Sequence, residues 1–173
     1  MNNAPVKLAR ETVKRLLEER PLPENGNEVV ASPLWEEHQA CFVSIKKDGE
    51  LRGCIGTLSP LCASLDMEII ANAVSASTRD PRFPPMTKGE LDDVIFSVDV
   101  LSVPEAIIGI EQLDPKKYGV IVSRGYRRGV LLPDLEGVDT SEQQVQIAAM
   151  KAGLYDLDGV TLERFTVERY KEI

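Results

Sequence analysis

Leu51-Arg52-Gly53-Cys54-Ile55-Gly56-Thr57 is the segment around which the chain is organised. It reads as a strand that closes on two glycines. Just before it, Lys47-Asp48-Gly49-Glu50 carries an Asp-Gly pair, which readily takes the positive φ values of a two-residue turn. Upstream of the turn, Gln39 to Lys46 alternates, with Phe42 and Ser44 on one face and Cys41, Val43 and Ile45 on the other. The two segments therefore pair as an antiparallel hairpin. Glycine within a strand marks a bulge or a place where another backbone or a ligand comes close. Downstream, Ser59-Pro60 reads as the N-cap and first residue of a helix running to about Thr78. The positive end of that helix would lie near the glycines, an arrangement suited to an anion.

Working outward, Val6 to Arg20 has an amphipathic helical pattern, with Ala9, Val13, Leu16 and Leu17 on one stripe. Pro21 and Pro23 end it, and Pro21 to Pro33 reads as a surface loop. After the second helix, Asp80-Pro81-Arg82-Phe83-Pro84-Pro85 is held extended by its three prolines. Thr87-Lys88-Gly89-Glu90 has the spacing of a capping box. Val94 to Leu101 reads as a strand, with Asp99 on its polar side facing solvent or a partner. Glu105 to Ile110 is a short apolar piece. Gly119 to Ser123 and Gly129 to Leu132 form two β arms around a tip bearing Arg124, Arg127 and Arg128. Thr140 or Ser141 caps a helix to about Ala152, with Ser141 and Gln144 at capping-box spacing and Gly153 closing it. Val160 to Tyr170 reads as one long strand with a bulge near Glu163-Arg164. Hairpins dominate, so the expected class is α+β: a largely antiparallel sheet with about three main helices.

The chain has 173 residues, a net charge of −8 and three cysteines. That length suits one domain, and the acidic balance speaks against nucleic-acid binding by bulk electrostatics. No apolar run reaches the roughly 18–20 residues of a membrane span. Met1-Asn2-Asn3-Ala4-Pro5 lacks the marks of a signal peptide, and an odd cysteine count argues against a disulfide framework. The expectation is a cytoplasmic protein with no nucleic-acid or membrane partner.

Cys54 is the sharpest candidate for chemistry. A thiol beside an arginine and a helix N-terminus has a lowered pKa and makes a nucleophile. Equally, a cysteine in a tight strand is a small buried hydrophobe. His38, the single histidine, is placed near the mouth of this site as a possible base. A metal set of His38, Cys41, Cys54 and Asp80 lacks a second ligand pair, so no metal is expected. Arg52 and Arg82 have the chemistry to hold a carboxylate or phosphate bidentately, and lie beside rigid glycine- or proline-shaped backbone. For the tip arginines, surface salt bridges are the better reading. Gly53 and Gly56 serve either a ligand or close packing. No P-loop, dinucleotide fingerprint, nucleophile elbow or zincin helix is present.

Leu51–Thr57 together with Asp80–Pro85 closely resembles the AMMECR1 family. The resemblance continues through Val100-Leu101-Ser102-Val103-Pro104-Glu105, Gly129–Pro133 and Lys151-Ala152-Gly153-Leu154, and covers nearly the whole chain. In its short, free-standing form it is similar to protein A of the AmmeMemoRadiSam system. The resemblance implies a single domain over 1–173, with an α+β fold in a larger and a smaller subdomain. It further implies an operon or physical association with a Memo-like protein and a radical SAM enzyme; no cofactor is expected. Its site residues map onto Arg52, Gly53, Cys54, Gly56, Thr57 and Arg82. Two functions follow as expectations. One is an accessory module that binds an anion or a partner's peptide; the other is an enzyme with Cys54 as nucleophile, Arg52 and main-chain N–H groups stabilising an anion.

Overall fold

The computed structural model describes residues 3–173. It is α+β, with three α-helices and two four-stranded sheets divided between two compact units. Among the described residues the larger unit holds 3–101 and 168–173, and the smaller holds 102–167.

In the larger unit, α1 (Ala4–Leu17) starts with Pro5 in its first turn, where the missing N–H costs nothing. It ends short of the predicted Arg20 because Glu19 takes a left-handed φ of 56°. The predicted hairpin is present as β1 (Cys41–Lys47) and β2 (Glu50–Gly56), turned by Asp48 and Gly49 at φ 52° and 79°. Next come α2 (Leu65–Thr78) and β3 (Val94–Leu101), and the last strand, β8 (Val167–Lys171), returns to this sheet. Strand order is β2-β1-β3-β8, which leaves β2 at one edge. Val43, Ile45, Phe96 and Val98 point to the core face and meet α1 and α2. Burying each such side chain contributes roughly 1.5–3 kcal/mol.

The smaller unit runs β4 (Glu105–Ile107), β5 (Gly119–Arg124), β6 (Arg127–Leu131), α3 (Ser141–Lys151) and β7 (Thr161–Phe165). Its sheet has the order β4-β7-β5-β6, and α3 packs on β5 and β6. The three tip arginines are engaged locally: Arg124 with Asp156, Arg127 with the Gly153 carbonyl and Arg128 with Glu163.

Three expectations need correction. The second helix begins at Leu65, not Pro60, because the Glu68 carboxylate accepts the N–H groups of Leu61 (3.0 Å) and Cys62 (2.7 Å) and holds that segment as a loop. The capping box of α3 is Thr140 with Gln143, one residue early, which frees the buried Gln144 amide to donate to the Tyr118 carbonyl at 2.7 Å. The long C-terminal strand is two strands in two sheets. Glu163 and Arg164 pair in regular register with β4 and β5. The break falls at Thr166, whose N–H is taken by Ser102 Oγ.

Candidate functional site

The two stretches that stood out in the sequence meet at the edge of β2. Ser44 of β1 lies opposite Cys54, and Phe42 opposite Gly56. In an antiparallel pair, alternate residues turn their N–H and C=O groups away from the partner strand. On an edge strand those groups have no ladder to join. At Cys54 both are met by side chains. Its N–H donates to Asp80 Oδ2 at 3.0 Å, and its carbonyl accepts from Arg82 Nη2 at 3.2 Å. Asp80 and Arg82 also grip each other at 2.8 and 3.0 Å. The ion pair thus stands where a neighbouring strand's carbonyl and amide would be.

Each partner is placed by the backbone. Helix α2 stops at Thr78 and the proline-rich loop carries Asp80 back to the edge. Asp80 is buried, and it accepts the Arg82 N–H at 3.1 Å as well. The Arg82 guanidinium, and then the N–H groups of Cys54 and Arg82, hold the Asp80 carboxyl far below the usual range. The Arg82 side chain remains 55% exposed and lies over the Phe83 ring, 5.5 Å from its centre.

The surroundings of Cys54 disfavour its thiolate. Burial pushes its thiol up, against smaller opposing effects of Ser44 and Arg82. Its sulfur sits 3.1 Å from Ser44 Oγ, and among the described residues no histidine or carboxylate is hydrogen-bonded to it. His38 is exposed and precedes β1 by three residues, beyond the end of the ladder with β2. Cys41 lies in the core, on the face of β1 opposite Ser44, and burial raises its thiol to about 12. Among the described residues no three His, Cys, Asp or Glu side chains gather as a metal set.

The remaining motif residues face other tasks. Arg52 occupies a bulge in β2, since Ile45 pairs with Gly53 and Lys46 with Leu51. It donates to both carboxylate oxygens of Glu90, at 2.9 and 3.2 Å, and so holds the capped turn Lys88–Asp93. That arginine and the Thr87 N–H bring the Glu90 carboxyl down to about 2. Gly53 lies under α2, where a Cβ would come closer than 3.0 Å to the Ala76 carbonyl. Gly56 leaves room for the Phe42 ring. Thr57 donates to Glu68 Oε1 at 3.0 Å. The anion expected near the glycines is therefore present as the chain's own Glu68, fully buried and held by the Leu61 and Cys62 amides.

The structure thus brings Cys54 and Arg82 together and turns Arg52 and Thr57 to separate carboxylates. Asp80, Ser44, Glu68 and Glu90 complete the network. Of these, the capping-box glutamate was visible in the sequence as a residue with a role. The others act across separations that no local pattern records.

An α+β fold with a hairpin motif clipped at its edge defines the class, and comparison with known proteins gives its family. The chain belongs to the AMMECR1 family, whose model matches residues 6–172. A protein of Thermotoga maritima is 54% identical over 147 residues, 84% of each chain. A protein of Methanosarcina barkeri is 38% identical, over 98% of this chain and 89% of its own length. One of Clostridium acetobutylicum is 47% identical over 96% of this chain, which spans only 36% of that longer protein. The crystal structure of uncharacterized protein PH0010 from Pyrococcus horikoshii superposes with a TM-score of 0.86 at 30% identity, covering 97% of this chain and 89% of that one. Among the described residues no helix is long and apolar enough to cross a membrane.

Proposed function

We propose that this chain is a non-catalytic binding module, acting as one AMMECR1 domain whose Arg82 loop, outside the closed β2 edge, receives an anionic group of a partner. One observation carries the reading. The Asp80–Arg82 pair consumes both main-chain groups of Cys54 yet leaves the Arg82 side chain more than half exposed on a proline-stiffened loop. With Nε and Nη2 given to Asp80 and the Cys54 carbonyl, the guanidinium is already fixed, and its Nη1 loses little freedom when it takes a carboxylate or phosphate. The Memo-like protein and radical SAM enzyme implied by the family resemblance are the first partners to try.

The alternative, an enzyme with Cys54 as nucleophile, is less well supported. A developing oxyanion needs free donors beside the nucleophile; the Cys54 N–H already serves Asp80, and Arg52 gives Nε and Nη2 to Glu90, which leaves only its buried Nη1 without a partner. The test is association of the purified chain with each partner protein from the same genome, followed by light scattering. Arg82→Gln should weaken a complex about tenfold, the loss of one charge-assisted contact. Phe83→Ser, which leaves the clip intact, should weaken it less. No complex at micromolar concentrations, or equal affinity for Arg82→Gln, would count against the proposal.

A further inference from the structure

The loop that follows α1 carries chemistry of its own. Asn25-Gly26 is the single Asn-Gly pair in the chain. In such a pair no side chain on the second residue obstructs attack of its main-chain nitrogen on the Asn side chain. Gly26 N gives up its proton to solvent and bonds to Asn25 Cγ. The bond from Cγ to the side-chain nitrogen then breaks, and that nitrogen leaves as ammonia. Water opens the resulting succinimide at either carbonyl, giving aspartate or isoaspartate. The step needs only water and the chain itself.

The fold opposes this step at each atom that takes part. Gly26 is buried against the Trp35 indole, so closely that a Cβ would come under 3.0 Å from the ring. Its N–H, which must lose the proton, donates to Asp66 Oδ2 at 2.8 Å. A carboxylate there opposes negative charge on the nitrogen. Asp66 is itself buried and fixed, because its other oxygen takes the Met67 N–H at 2.9 Å and the Ser64 hydroxyl. Ring closure also needs rotation about the Asn25 Cα–C bond, from its extended ψ of 171°, until Gly26 N eclipses Cβ. Turning Gly26 breaks its bond to Asp66 and those its carbonyl accepts from Val29 and Val30, at 3.0 and 2.9 Å. Turning Asn25 instead breaks the bond its Oδ1 accepts from the Glu28 N–H at 3.3 Å and pulls on the buried Pro23. We propose that Asn25-Gly26 is a latent deamidation site, which Asp66 and Trp35 hold shut in the folded chain and which opening of this turn commits. Isoaspartate adds a main-chain carbon at residue 25, so Gly26 does not return to its place against Trp35, and the modification records the opening.

The full chain and a synthetic peptide of residues 22–30 are incubated side by side in mildly alkaline buffer. Conversion of Asn25 is read by the mass shift of its proteolytic fragment, with isoaspartate separated by chromatography. The native chain should convert at least about tenfold more slowly than the peptide, the protection of a turn that must open first. Asp66→Ala, with its fold verified by circular dichroism, should approach the rate of the peptide. Trp35→Phe, which removes the indole bond to the Val30 carbonyl at 2.9 Å, should fall between them and reads the same gate if Asp66→Ala unfolds. Equal rates in the native chain and the peptide would overturn the proposal, whatever the variants do. So would folded variants that both convert no faster than the parent. A slower Asp66→Ala chain would also overturn it, because Asp66 would then be the base that draws the proton.

Discussion

Asp80 accepts the main-chain N–H of Cys54 at 3.0 Å, across 26 residues of sequence and from within the interior. This bond, returned by Arg82 to the Cys54 carbonyl, joins the two most distinctive stretches of the chain and closes the edge of its larger sheet. Side chains that mimic a neighbouring strand keep such an edge from pairing with other molecules.

Asp80→Ala should therefore have two effects. It leaves the Cys54 amide and the Arg82 guanidinium without their carboxylate, which costs about 2–3 kcal/mol by the usual loss for charged hydrogen bonds. It also opens the β2 edge. Urea unfolding should show the lower midpoint, and light scattering should show concentration-dependent association absent from the parent chain. A monomer of unchanged stability would contradict this account of the clip.

The pH dependence has a definite sign. Asp80 and Glu90 both titrate below their ordinary values in the folded state, Glu90 near 2 and held there first by Arg52. Their stabilisation is full above the unfolded carboxyl values of about 4 and fades as pH falls towards the folded ones. Urea midpoints should be flat from about pH 5 to 7 and decline from about pH 4.5 to 2. Glu90→Gln should flatten part of that decline.

Gly53→Ala tests whether the motif glycine serves packing. The added methyl meets the Ala76 carbonyl of α2, and backbone on both sides cannot yield freely. A loss of about 2 kcal/mol or more is expected from overpacking. Gly89→Ala, where a Cβ meets nothing within 4 Å, is the matched control and should be near neutral. Equal effects of the two would remove the packing role.

Glu68→Gln should loosen the loop between β2 and α2. The buried carboxylate takes three donors, from Thr57, Leu61 and Cys62. Its amide counterpart can accept at only one oxygen, so a loss of about 2 kcal/mol is expected. Hydrogen exchange at the Leu61 and Cys62 amides should accelerate more than at β1. Uniform acceleration would mean the effect is global.

The hairpin was legible because Asp48-Gly49 and the alternation of β1 are local signals. Strand β3 and the Thr87–Glu90 capping box were legible for the same reason. The start of α2 was not, since Ser59-Pro60 satisfies the local rules for a helix start and loses only to the Glu68 carboxylate, which takes the Leu61 N–H from seven residues on. Nor was the split at Thr166 legible, because apolar spacing alone does not tell a bulge from a strand that changes sheets. At the site, residue types were visible but pairings were not. Arg52 looked free for a ligand until Glu90, 38 residues away, was placed beside it. Cys54 looked activated until the helix start moved away and Asp80 took its amide.

In this structure Cys54 belongs to the Asp80–Arg82 clip, and its thiol is expected to be unreactive. The most direct measurement is the rate of iodoacetamide alkylation of native protein across pH, with modified cysteines mapped by mass spectrometry. Because burial raises the thiol, Cys54 should label slowly at pH 7, with an apparent pKa above the roughly 8.5 of a free cysteine. Rapid labelling of Cys54 with an apparent pKa well below that value would contradict the account and make the nucleophile reading the one to follow.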